Sequence, residues 1–305
     1  MRYKMLYGIL VVAVGMLCFS CAANKKQSDE NLTLEPIAEV ELVGDTVKSS
    51  AVEIPVDVSE DGHVEKIYDT VINGMKFRDF YFMCEGDGEV ISDETDYCLP
   101  IEGNAEALEK IWKSLAGPYD SEVLQKELEK ECEAIMTAPK LVKEDMDYDV
   151  DMQGSFNHYV YPVFVDGGLV SYAFLEEWFY ESMPHPQSTF ITAIYSLETG
   201  EKISQDDILD DSQISRQAIA NEIYRLLVEY ADGDESYFME GRHDENKMSL
   251  LNDKLGFDEN SLIYNYERYE VFPYAMGTPS VELPKEWIKP YLKKDGVLYQ
   301  YWFGK

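Results

Sequence analysis

Two aromatic-rich runs, residues 156–165 and 169–180, are separated only by Asp166-Gly167-Gly168, and this segment most narrows what the chain can become. Each run is long and rich in the aromatic and β-branched residues that strands favour, and a Gly-Gly pair tolerates the positive φ that tight hairpin turns demand. An antiparallel hairpin is expected here. Residues 188–197, closed by Glu198-Thr199-Gly200, supply a third strand.

The rest of the chain sorts around that hairpin. Between residues 40 and 91, short alternating runs such as Val52-Glu53-Ile54-Pro55-Val56-Asp57-Val58 are broken by Asp61-Gly62, Asn73-Gly74 and Asp87-Gly88, which reads as strands joined by turns. Asn104 is an N-cap residue. Behind it Leu108, Ile111, Trp112 and Leu115 follow at helical spacing until Gly117-Pro118 stops the helix. A second helix starts near Ser121 and carries Leu124, Leu128, Cys132 and Ile135 on one face; both stripes read as core. Asp206, Asp207, Asp210 and Asp211 lead into a helix over about 212–230, with Ile214, Ala218, Ile219, Ile223, Leu226 and Leu227 as its apolar set. Acids at that end suit the helix dipole. A strand over 262–272, a short strand over 281–283, a helix from Pro284 with Trp287, Ile288 and Tyr291, and an aromatic tail over 297–303 complete the reading. Strands and hairpins with segregated helices define an α+β fold.

The first 21 residues speak to location. Arg2 and Lys4 precede an apolar run that ends in Cys18-Phe19-Ser20-Cys21, the form of a secretory signal of the lipoprotein kind and too short to span a bilayer. It resembles a bacterial lipobox, with Cys21 as the lipidated first residue of the mature protein. Residues 1–20 are thus read as signal peptide and 21–36 as a polar linker. The expected location is the cell envelope: lipid-anchored to an outer membrane or cell surface, facing periplasm or exterior, and touching membrane through the lipid alone.

Charge bounds the partners. The formal net charge is -33, and removal of Arg2 and Lys4 with the acid-free signal makes it more negative still. Such a field repels nucleic acid and speeds encounter with basic partners. At 45% hydrophobic and 13% aromatic the chain nevertheless has material for a folded core. Beyond Cys18 and Cys21 there are three cysteines. Cys84 and Cys98 flank Glu85-Gly86-Asp87-Gly88-Glu89, a turn-rich piece that would bring them together as a disulfide, while Cys132 sits on a helix face as a buried thiol.

The sequence carries no recognised catalytic motif. The histidines, His63, His158, His185 and His243, form no HxxxH or HExxH spacing. A run from Asp57 opens like a calcium loop, yet its twelfth position is Tyr68, where a bidentate glutamate is required. GxSxG, P-loop, GxGxxG and Ser-x-x-Lys patterns are missing. No catalytic residue, metal ligand or cofactor is assigned, and an enzyme is not expected.

Four pieces together carry a family likeness: the aromatic hairpin; Tyr195-Ser196-Leu197-Glu198-Thr199-Gly200-Glu201-Lys202-Ile203 with Asp206-Asp207-Ile208-Leu209; Tyr269-Glu270-Val271-Phe272-Pro273-Tyr274-Ala275-Met276-Gly277; and Val281-Glu282-Leu283-Pro284. Residues 156–292 resemble the C-terminal domain of RsiV-like anti-sigma factors, membrane-tethered proteins whose extracytoplasmic part binds lysozyme. Residues 40–150 resemble the smaller domain that precedes it there and in PdaC-type peptidoglycan deacetylases. The resemblance implies an N-terminal α+β subdomain over 37–150 and a C-terminal domain over 151–305, without a sigma-binding segment or a deacetylase domain. It also implies a ligand-binding module whose partner is a basic protein such as lysozyme, or a cell-wall fragment. Met183, His185 and Gln187, with Phe272, Tyr274 and Met276, are the candidate contact residues. Where relatives carry Gly-Gly-Ala-His, this chain reads Tyr180-Glu181-Ser182-Met183-Pro184-His185-Pro186, a loop stiffened by its prolines. A glycan- or peptidoglycan-processing enzyme with a site assembled from distant residues, and a carbohydrate-binding module using exposed tyrosines, are the other classes open to it.

Overall fold

The computed structural model describes residues 63–139, 153–180, 183–239 and 247–304. The lipobox with Cys21, the linker and the alternating run 52–58 lie outside the described residues. β1 (His63–Ile72), β2 (Met75–Glu85) and β3 (Val90–Pro100) form a meander. Its first turn is Asn73-Gly74, at φ 48° and 81°, the two left-handed residues that a type I′ turn requires. α1 (Ala105–Leu115) and α2 (Ser121–Met136) follow, and then β4 (Gly154–Asp166), β5 (Leu169–Tyr180) and β6 (Gln187–Ser196). The hairpin turn lies at Gly167 and Gly168, φ 57° and 78°, as the sequence dictates. The remaining elements are β7 (Lys202–Ile203), α3 (Gln205–Ile208), α4 (Gln213–Tyr230), β8 (Leu255–Phe257), β9 (Ser261–Asn265), β10 (Ser280–Pro284), α5 (Lys285–Ile288) and α6 (Val297–Phe303). The fold is α+β.

β1 to β7 make one sheet in sequence order, and β10-β9-β8 make a second. Every pairing in the large sheet is antiparallel except β3 with β4, which is parallel. A parallel neighbour cannot be reached by a tight turn, so the chain must cross over, and α1 and α2 lie in that crossover. Strands from either side of residue 150 therefore share one sheet.

Cross-strand register sorts side chains onto two faces, because directly opposed residues point the same way. Phe80 opposes Tyr97 and Phe82 opposes Thr95, and this face receives the two helices. Asn104 caps α1 by accepting from the N–H groups of Glu106 and Ala107, and Asp120 caps α2 in the same manner. The Trp112 ring meets Phe80 edge-on at 5.7 Å, and its Nε1 donates to the Pro100 carbonyl at 2.7 Å. Phe77, Phe80, Phe82, Leu99 and Ile111 are buried in this core, each contributing about 1.5–3 kcal/mol of transfer free energy. On the opposite face, at the β5–β7 end, Leu169, Ile194 and Ile203 join α4 and the small sheet in a second core. Phe257 of β8 packs edge-on against Phe164 at 5.1 Å. Gly256 allows that approach: a Cβ there would stand 3.2 Å from the Ser171 Oγ.

Several expectations are corrected. The disulfide joins Cys84 to Cys132, with Cα atoms 5.4 Å apart, and Cys98 is the buried free thiol. Register explains this. Cys84 opposes Asp93 and Cys98 opposes Asp79, so Cys84 and Cys98 sit far apart along the hairpin and on opposite faces. Cys84 shares the helix-facing side with Cys132. The strand expected over 262–272 ends at Asn265, because the Glu267 N–H is taken by the Glu270 carboxylate at 2.9 Å, turning the chain. The aromatic tail, for which the sequence reading names no element, folds as a helix. Ile214 is 83% exposed: with Ser212 as N-cap, the buried stripe of α4 runs through Ser215, Ile219, Ile223 and Leu227 instead. The acids before α4 are divided as well. Asp207 closes a capping box with Ser204 on α3, whereas Asp206 binds Arg216 at 2.6 Å.

Candidate functional site

The turn after β9 and the loop after β5 converge. A 3-10 turn, Tyr274–Met276, begins at Pro273 and ends at Gly277, whose φ of 74° favours a residue without Cβ. It presents the Tyr274 ring to the loop before β6. His185 stacks on that ring with centroids 3.7 Å apart and planes at 21°, and the Tyr274 hydroxyl donates to the Pro186 carbonyl at 3.0 Å. Eighty-eight residues of separation are closed by one ring stack and one hydrogen bond. The His185 Nδ1 lies 3.2 Å from the Gln187 amide nitrogen and 3.2 Å from the Pro186 carbonyl. When unprotonated it accepts from the amide; when it carries hydrogen it donates to the carbonyl. The ring tautomer thus decides how this loop is tied.

The six candidate contact residues divide by role. His185, Gln187 and Tyr274 form the half-buried patch, with Met183 beside them in the loop, its N–H bonded to the Tyr180 carbonyl at 2.9 Å. Phe272 is completely buried, held by Phe238 at 4.7 Å and Tyr230 at 5.7 Å. It is the root of the turn and offers no surface to a partner. Met276 packs partly into the same core, and its carbonyl accepts from the Tyr230 hydroxyl at 2.6 Å.

Sequence reasoning missed two members of the patch. Arg268 lies over the Tyr274 ring at 4.6 Å and donates to its hydroxyl at 3.3 Å. Tyr269 has φ 62° and is 46% exposed, with its ring centroid 5.9 Å from that of Tyr274. A non-glycine residue in the left-handed region costs of order 1 kcal/mol or more and persists only where neighbours hold it. Both fall within the strand that the sequence suggests over 262–272; the polarity of the Glu267-Arg268-Tyr269-Glu270 run, too high for a buried strand, is the signal that marks them.

A second concentration of chemistry lies on the β1–β4 face turned away from α1 and α2. Asp79 opposes Cys98 and Tyr68, Tyr81 opposes Asp96, and Asp96 opposes Tyr159. Burial, with Asp79 and Glu94 nearby, pushes the Asp96 carboxyl up to about 7. Burial also pushes Asp79 up to about 6, against a hydrogen bond from Cys98 that favours the ionised form. The same burial raises Tyr68 to about 12 and moves Tyr81, Tyr159 and the Cys98 thiol upward. Among the described residues no group of three or more His, Cys, Asp or Glu side chains is arranged to hold a metal ion.

The fold and patch thus define an α+β protein with one mixed sheet between two helical cores and an aromatic turn at the rim of the smaller sheet. Residues 206–286, from α3 into α5, match the family described as "Protein of unknown function (DUF3298)". That span contains Arg268 and Tyr274 but not His185. A crystal structure of a DUF3298 family member from Bacteroides fragilis NCTC 9343 matches with a TM-score of 0.57 at 10% identity, over 80% of this chain and 99% of that one. A DUF3298 family protein from Pseudomonas aeruginosa PAO1 gives a TM-score of 0.48 at 12% identity, over 76% and 94%. No curated protein matches. At the first of these identities the likeness is one of fold.

Proposed function

We propose that this protein is an extracytoplasmic, lipid-anchored ligand-binding module that docks a basic protein such as lysozyme, or a wall fragment, on the patch built by His185, Gln187 and Tyr274. The observation that carries the reading is the convergence of two loops distant in sequence into one stacked aromatic surface. Aromatic side chains fixed by their neighbours are the usual anchors of protein interfaces. The net charge of -33 adds steering, which improves encounter rate more than final affinity. The test is retention of lysozyme by the immobilised full chain at 0.15 M salt, where the Debye length is about 8 Å. Retention stronger than that of other cationic proteins of similar size supports the reading. Binding that vanishes at that salt, or that any such protein matches, removes it.

A second reading has one observation in its favour. Two carboxylates raised to about 6 and about 7 on one tyrosine-lined face are poised to give and take protons near neutrality. This is the form a glycan-processing site without a sequence motif would take. Release of reducing ends from peptidoglycan by the wild-type chain, lost in Asp96→Asn, would favour it over docking.

A further inference from the structure

Among the described residues, the arginines hold carboxylates with one exception. Arg78 grips Asp69 with two nitrogens at 2.6 and 3.0 Å, Arg216 reaches Asp206 at 2.6 Å, and Arg225 clamps Glu222 at 2.6 and 2.9 Å. Arg268 alone among the described arginines makes no ion pair, although the chain has 59 acids against 26 lysines and arginines. Its nearest acids in sequence are occupied. Glu267 and Glu270 both close on Lys254, at 2.7 and 2.6 Å. The guanidinium instead rests over the Tyr274 ring and spends one N–H on its hydroxyl, while its Nε is buried without an acceptor. A charged donor fork left unpaired within such an acidic protein is a cost the fold does not recover internally. The left-handed backbone at Tyr269 keeps an exposed ring next to it.

We propose that Arg268 is the carboxylate-receiving residue of the Tyr274–His185 patch, taking an acidic side chain or chain-terminal carboxylate of whatever docks there. The inference rests on the docking reading of the same patch and names the ligand chemistry it requires. With the ring face engaged by Tyr274, Nε buried and one Nη1 hydrogen on the tyrosine hydroxyl, the Nη1–Nη2 end of the guanidinium is what remains for a ligand, and a planar carboxylate matches that end with two parallel hydrogen bonds. A phosphate dianion would meet the same donors but twice the repulsion from the field of a chain at -33. On a basic partner, one acid in register with Arg268 would fix orientation where diffuse charge attraction cannot.

The test uses the full chain, labelled with nitrogen-15 at its six arginines and observed by NMR through their Nε–H signals. The Arg268 signal is identified by its loss in Arg268→Lys, or in Arg268→Gln if that variant misfolds. Sodium acetate is then exchanged for sodium chloride at constant ionic strength. The expected result is a saturable shift of the Arg268 signal while those of Arg78, Arg216 and Arg225 stay in place. Absence of a shift, uniform movement of all signals, or a response to phosphate at lower concentration than to acetate overturns the assignment. Lysozyme retention is scored separately: a chain that fails to retain lysozyme yet shows the acetate shift has lost the partner and kept the carboxylate site.

Discussion

Replacing Asp96 by asparagine should stabilise the protein at pH 8 far more than at pH 5. The Asp96 carboxyl is pushed up to about 7 in the folded chain, chiefly by burial and then by Asp79 and Glu94, from an ordinary value of 3.8. Between these two values the native state holds a proton that the unfolded state has released, so stability falls as pH rises through the window and the loss is complete above pH 7. Each pH unit inside the window costs about 1.36 kcal/mol for one group. From pH 5 to pH 7 that is about 2.7 kcal/mol, and screening of a side chain still partly in contact with water lowers the expectation to about 2 kcal/mol. Asparagine keeps the shape and removes the charge. Urea midpoints of wild type and Asp96→Asn at pH 5, 6.5 and 8 should therefore diverge by about 2 kcal/mol toward the alkaline end. Carboxyls held below the ordinary range, such as Asp69 beside Arg78 and Asp207 in its capping box, contribute the opposite slope to both proteins and cancel in the difference. A gap between the two proteins that is independent of pH, or that narrows as pH rises, would refute the account of Asp96 as a carboxyl buried beside its own kind.

Four other outcomes are expected. Reduction of Cys84–Cys132, or Cys132→Ser, should lower stability by about 4 kcal/mol, the loop-closure value for a separation of 48 residues, read as a shift in urea midpoint; an unchanged midpoint would mean the bridge does not form. Gly200 has φ 74° and its missing Cβ would run into the backbone of Ala107 on α1, so Gly200→Ala should cost about 1–3 kcal/mol, and a thermal melt matching wild type would show that the turn does not lean on that helix. Tyr274→Ala should weaken lysozyme retention about 30-fold, the equivalent of about 2 kcal/mol, with little change in stability, while Phe272→Ala should cost about 3–5 kcal/mol of stability; the reverse pattern would exchange the roles of anchor and root. Cys21→Ser should leave the chain unprocessed or released from membranes in cell fractionation, and normal membrane attachment would dismiss the lipobox.

Local chemistry made much of this fold legible in the sequence. Asn73-Gly74 and Gly167-Gly168 specify their turns because their φ values are ones that few other residues reach, and Asn104 and Ser212 specify helix starts because their side chains satisfy amide groups a few residues on. The α+β class followed from the change of period between strands and helices. It was also local reading that went wrong at 262–272, where a side-chain bond from Glu270 to the Glu267 N–H outweighs strand propensity.

What tertiary structure alone decided is which faces meet. A two-residue period says that Cys84 and Cys98 lie on sides of a strand but not which side faces α2, so the partner of Cys84 emerged only from register and the helix above it. The parallel pairing of β3 with β4 leaves no trace in either strand, since the long crossover could have ended beside any edge. The raised Asp79–Asp96 pair exists because register sets diagonal neighbours of two strands on one buried face. His185 and Tyr274 were both named from sequence, yet their contact, and the unpaired Arg268 beside them, depend on where two loops come to rest. Sequence encodes the period, the caps and the turns because these are settled within a few residues. Pairings between elements are settled by packing and by the burial of charge across the whole chain, and only the folded structure displays them.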